Sequence, residues 1–346
     1  MQTSLFPVNT LEMLRDGTVY MRTTSLFHAV VPVLFPDGTR IRYISQADCD
    51  SLCEILRNRN PFSRHRADRD FYYKRAAAFA NTTVIEVARP GLPDDVRAVV
   101  AEASDVAEQV SLIAASLVLK KPQLLGCLGI GARPATQVEL LRGPRLEALR
   151  AKTTPTPPGG GYRTDSAMAR RVHATGLALV YSACGKFGET RDRLRLALGW
   201  LFESRCEPRF EAAVVKTAIA LESLLILSES ESLSRALSER MAFLLSDIPI
   251  ERKRISALIK NFYDARSGIV HGGKKKIKAY KKLHMLDAVD RLVALALSVV
   301  GAGISTWPST EEFRRWCEEE RWGAPQNIDR PFSKTYIKNA LKLVEG

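Results

Sequence analysis

Cysteine is sparse and scattered in this chain of 346 residues. Its six copies stand at 49, 53, 127, 184, 206 and 317. Only Cys49 and Cys53 are close, and a C-x3-C pair with no second pair nearby makes neither a zinc ribbon nor a disulfide framework. Reduced thiols in a cytoplasmic protein are the expectation. Long apolar runs are also missing. The longest, "LVALALSVVGAGI" (Leu292 to Ile304), is too short to span a bilayer comfortably and predicts a buried helix. The opening "MQTSLFPVNTLEMLRDGT" lacks a basic segment followed by an apolar one, so no signal peptide and no membrane partner are expected. There is no repeat of fixed period, no catalytic triad and no metal-ligand spacing. The glycines of "GCLGIGARP" (Gly126 to Pro134) lack the strand-then-helix setting of a phosphate loop. No metal or cofactor is predicted.

One further absence is local. From Ala265 to Leu286 there is no acidic residue, while Lys274, Lys275, Lys276, Lys278, Lys281 and Lys282 fall inside that stretch. The chain as a whole carries a net charge of +13, which favours phosphate-bearing partners. Charge alone would equally suit a DNA-binding regulator. Hydrophobic residues make up 46% of the chain, enough for a packed core and against wholesale disorder.

The two halves differ in texture. "FHAVVPVLFPDGTRIRYIS" (27–45) predicts two strands joined at Asp37-Gly38, and "NTTVIEVA" (81–88) a third. Helices are expected from Asp48 to about Arg57 and from Asp94 to about Leu119. "RNRNPFSRHRADRDFYYKR" (57–75) mixes basic and aromatic residues, which suits either base stacking or a loop leading into a core. "KTTPTPPGGGYRTD" (152–165) breaks regular structure and reads as a domain boundary or a long surface loop. Beyond it every periodic segment is helical, with the short connections of a bundle. "RFEAAVVKTAIALESLLILS" (209–228) is apolar on nearly all sides and predicts the central helix, and Ser232 is an N-cap candidate for the next. The expected architecture is an α+β N-terminal domain over residues 1–160, followed by an all-α helical bundle over 161–346.

The segment "NFYDARSGIVHGG" (261–273) breaks that plan. Ile255, Ile259, Phe262, Arg266 and Ile269 follow at steps of four, three, four and three, the spacing of a core stripe with a guanidinium in it. An unpaired buried guanidinium costs several kcal/mol, so Arg266 requires a carboxylate, a phosphate or a path to water. Glu222 is a candidate mate, the only charge on a face with Val215, Ile219 and Ile226. A bidentate pair would fix the guanidinium plane. His271 comes five residues later, about 140° around an ideal helix. Convergence of the two then requires distortion at Gly268 or a second chain. Gly272 and Gly273 are expected to supply a left-handed cap.

"FYDARSGIVHGG" resembles the signature of the HEPN superfamily, in particular its Apea-like branch: an arginine, four to six residues, then a histidine. "IALESLLI" (219–226) and "LSRALSERMAFLL" (233–245) resemble the same branch in the same order. The likeness spans roughly residues 185 to 300. It implies a helical bundle that forms a homodimer with the motifs facing across the interface. It also implies a metal-independent ribonuclease with no cofactor, acting as a toxin or anti-phage defence effector. By that likeness His271 is the general acid/base and Arg266 steadies charge on the phosphorane. The ribose 2′-OH attacks its own phosphodiester to give a 2′,3′-cyclic phosphate. Ser267 departs from the Asn, Asp or His that follows the arginine in many active members. The lysines would hold RNA phosphates. A regulatory or trigger protein would act through the first half. The other reading of the same likeness is a non-catalytic HEPN module, a scaffold for RNA, nucleotide or protein.

Overall fold

The computed structural model describes residues 17–23, 27–29, 33–35, 39–47, 50, 82–90, 138–142, 145–147, 162–164, 177–184, 188–207, 209–227, 232–271, 279–321 and 330–344. The chain divides into two compact units. One comprises 1–111 with 131–169, the other 112–130 with 170–346.

The described elements of the first unit are mainly strands: β1 (Gly17–Thr23), β2 (Phe27–Ala29), β3 (Val33–Leu34), β4 (Arg40–Ile44), β5 (Thr82–Pro90), β6 (Val138–Arg142), β7 (Arg145–Glu147) and β8 (Tyr162–Thr164). β-Branched and aromatic residues recur along β1, β4 and β5, as a pleated surface favours. Six strands form an antiparallel sheet in the order β3-β4-β5-β1-β6-β7. β1 is central, with Gly17 opposite Pro90 and Thr23 opposite Val84 on one side, and Thr18 opposite Arg142 on the other. Residues 27–45 hold three strands where two were expected: β2 belongs to a separate two-stranded sheet, and the hairpin is β3–β4, closed by the Phe35 amide donating to the Thr39 carbonyl at 2.8 Å. Asp37-Gly38 lie outside the described residues, as do the expected helix 94–119 and the segment 57–75. Helical backbone occurs at Gln46, Ala47 and Asp50, beginning ahead of the expected start at Asp48. Another expectation needs correction. Tyr162–Thr164, inside the Pro/Gly-rich stretch read as a loop, pairs in parallel with Phe27–Ala29. Three residues are too few to leave a periodic signal.

The second unit is helical wherever it is described in regular elements: α1 (Leu177–Cys184), α2 (Glu189–Cys206), α3 (Phe210–Leu225), α4 (Leu233–Leu245), α5 (Pro249–Val270), α6 (Ala279–Ala302), α7 (Thr310–Arg321) and α8 (Lys334–Lys342). This is the expected bundle. α6, not α3, touches the most neighbours, packing on α1 to α5 and on α8. Its segment Leu292 to Val300 is buried at every position, Ser298 included. A helix buried all round reads as apolar in every direction, which α6 satisfies more fully than α3. No helix among the described residues is long and apolar enough to cross a membrane. Among the described cysteines, Cys184 and Cys317 are buried and stand outside any disulfide. Burial pushes the Cys184 thiol up to about 11, so it stays protonated and inert.

Two contacts depend on glycine. Gly188, just before α2, has φ +122, and a Cβ there would lie 2.6 Å from the Pro308 carbonyl oxygen. At Gly301 a Cβ would sit 3.0 Å from the Cα of Val180, so the missing side chain lets α6 and α1 approach.

Polar groups knit α2, α3 and α6 in the core. Arg205 is 2% exposed and Asp290 1%, and Arg205 Nε lies 3.1 Å from Asp290 Oδ2. The Thr217 hydroxyl contacts Asp290 Oδ1 at 2.8 Å. Ser204 Oγ is 2.7 Å from Thr217 Oγ1 and donates to the Ala213 carbonyl at 2.9 Å. Desolvation of such charges is offset only by this kind of dense pairing.

The α4–α5 corner is clamped. The Ser246 hydroxyl donates to Glu251 at 2.7 Å and accepts from the Ile248 amide at 3.1 Å. Arg252 donates to the Ser246 carbonyl at 2.6 Å and to Glu320 of α7 at 3.0 Å. Arg330 donates to the carbonyls of Leu244 and Phe243 at 2.9 and 3.0 Å, satisfying acceptors that the end of α4 leaves open. Ser232 stands at the N-cap of α4, but its side chain makes no capping bond.

Candidate functional site

α5 carries the motif. Pro249 opens the helix, where its fixed φ suits the first turn. Ile255, Ile259 and Phe262 are fully buried, as the stripe predicts. Burial of a side chain like Phe262 contributes about 1.5–3 kcal/mol. The stripe then leaves the core. Arg266 is 22% exposed, and Glu222 of α3 is 24% exposed. The expected pair is present, with Arg266 Nη2 3.4 Å from Glu222 Oε1.

Three details differ from expectation. Val215, Ile219, Glu222 and Ile226 do not form a buried face: Glu222 is half-buried and stands on the rim of α3. The core face is made by Ala213, Val214, Thr217, Leu221 and Leu224. The ion pair is a single contact and not a bidentate fork. Tyr263, three residues before Arg266, shares that oxygen: its hydroxyl donates to the same Glu222 Oε1 at 2.8 Å. Its ring also lies under the guanidinium, 5.3 Å from centroid to Cζ. Burial, then the bond to Glu222 and its charge, push the Tyr263 hydroxyl up to about 12, so it remains a donor at neutral pH. Arg266 Nε is buried and meets no acceptor.

The third difference concerns Gly268. α5 runs regularly through it to Val270, and the His271 amide still donates to the Ser267 carbonyl at 3.0 Å. No distortion swings His271 toward Arg266. His271 caps the helix at φ −95 and ψ 11 and is exposed. The two motif residues therefore keep the ideal-helix offset of about 140°. Ser267 is half-buried between them.

Gly272, Gly273, Lys274, Lys275, Lys276 and Lys278 lie outside the described residues. Lys281 and Lys282 occupy the first turn of α6, which holds no acidic residue. The structure thus brings together Arg266 and Glu222, adds Tyr263, and sets His271 apart on the outside. Tyr263 was readable as a neighbour of Arg266, because residues three apart share a helix face.

No protein-family model, no curated protein and no solved structure matches this chain.

Proposed function

We propose that this protein is a metal-independent endoribonuclease of HEPN type, acting as a toxin or defence effector. The observation that carries this reading is the oriented, partly exposed Arg266, fixed by Glu222 and Tyr263 five residues ahead of an exposed His271. A planar cation with open donors suits a phosphorane, and an imidazole suits proton transfer near neutrality. A phosphodiester bound here loses the proton of its 2′-OH as that oxygen attacks phosphorus, and the 5′-oxygen leaves with a proton. The products are a 2′,3′-cyclic phosphate and a 5′-hydroxyl. Arg266 and His271 of one chain point apart, so the reading requires a homodimer in which each site draws on both chains. The first half is read as an α+β domain that recognises a trigger or restrains the bundle.

The regular, unconverged helix favours a second reading, a non-catalytic HEPN scaffold that binds RNA. Incubation with mixed RNA in EDTA separates the two. Cleavage that survives chelation, leaves cyclic-phosphate ends and disappears in His271→Ala is expected. Binding without cleavage, unchanged in His271→Ala, establishes the scaffold. Cleavage abolished by EDTA rules out the metal-free route.

A further inference from the structure

α5 is two-faced, and its outward face has a chemistry of its own. Lys253, Ala257, Lys260, Asp264 and His271 are all exposed. On a helix of about 100° per residue, Lys253 and His271 share one azimuth after five turns, and Lys260 lies within about 20° of it. The line is about 27 Å long at 1.5 Å per residue. Among the described residues, no carboxylate lies within ion-pairing distance of Lys253 or Lys260. Ala257 leaves the ridge low between them, and Asp264 is the one acid on it. Arg266 looks the other way, toward Glu222.

We propose that this ridge is the track along which a single-stranded RNA approaches His271, with Lys253 and Lys260 each holding a phosphate of the strand. The proposal rests on the RNA-handling reading above and adds the direction of the strand. Two cations in line with an exposed imidazole fit a polyanion laid lengthwise. Phosphate contacts of this kind set position and salt sensitivity without reading sequence.

The test uses the full chain carrying His271→Ala, so that a short labelled single-stranded RNA stays intact, with anisotropy followed against salt. Lys253→Gln with Lys260→Gln is expected to lower the slope of log affinity against log salt by about 1.4, at about 0.7 per phosphate contact. Lys338→Gln with Lys342→Gln, the same charge change on α8, is expected to leave the slope unchanged. Equal losses in both pairs would reduce the effect to net charge and overturn the track. An unchanged slope in the α5 pair, with RNA still bound, overturns the track and leaves the RNA reading standing. No RNA binding by either parent or variants overturns both. An unchanged melting temperature in each variant checks the fold.

Discussion

The bundle holds two arginine–carboxylate clusters with opposite lives. Arg205 and Asp290 lie under three helices, 2% and 1% exposed. Arg266 and Glu222 stand at a rim, 22% and 24% exposed. Each cluster recruits a hydroxyl, Thr217 in the core and Tyr263 at the rim. What differs is access to water. In the core the charged groups face only the protein, and the cluster fixes how α2, α3 and α6 register. At the rim the guanidinium is held along one side and keeps donors for something else. Chemistry is the same in both; depth decides whether it builds or serves.

The largest effect expected from breaking this contrast is at Asp290. Asp290→Ala removes the nearer of two carboxylates from the buried Arg205 guanidinium, Asp287 remaining at 3.8 Å, and should cost up to about 3–5 kcal/mol in urea denaturation. A loss under about 1 kcal/mol would mean that the core cluster is dispensable.

Acidity sharpens the contrast next. Burial pushes Asp290 up to about 6 from the ordinary 3.8, against the pull of Arg205. Thr217, which donates to Asp290 Oδ1, pulls the same way as Arg205, and burial outweighs both. Because the folded value lies above the unfolded one, this group's stabilisation is full below about pH 4 and is lost as pH rises through about 6. Wild-type stability should therefore carry a downward component between those values that Asp290→Asn lacks, measured as denaturation midpoints against pH. At the rim, the Tyr263 hydroxyl at about 12 titrates far above that window.

The smallest stability effects belong to the rim. Glu222→Gln and Tyr263→Phe should each cost about 1 kcal/mol or less, since the pair is partly solvated. On the ribonuclease reading they should still slow cleavage well beyond that, with kcat falling and KM nearly constant. Wild-type turnover in both variants would show that the orientation of Arg266 does not matter.

Much of the bundle was legible because its helices carry periodic apolar faces, and α3 to α6 follow the segments that the pattern marked. The Glu222–Arg266 pair was legible for the same reason: a charge inside an apolar spacing demands a mate. That rule, applied evenly, would have found the core cluster first. Leu194, Leu198, Leu201 and Arg205 run at steps of four, three and four, and so do Leu286, Asp290, Val293 and Leu297. All of these are buried. The rim status of Arg266 was not legible, because periodicity gives azimuth and not how far along a helix the core extends. Nor could spacing show that Tyr263 and Arg266 share one oxygen of Glu222.

The Arg330 clamp has a genetic corollary. Its guanidinium closes the end of α4 from a point far downstream of the motif on α5. A nonsense codon just before it would spare every residue named in the candidate site and still release the corner from which α5 starts. On the ribonuclease reading, such an allele would lose cleavage while its product kept an intact motif, so truncation mapping alone would place the active centre in the tail.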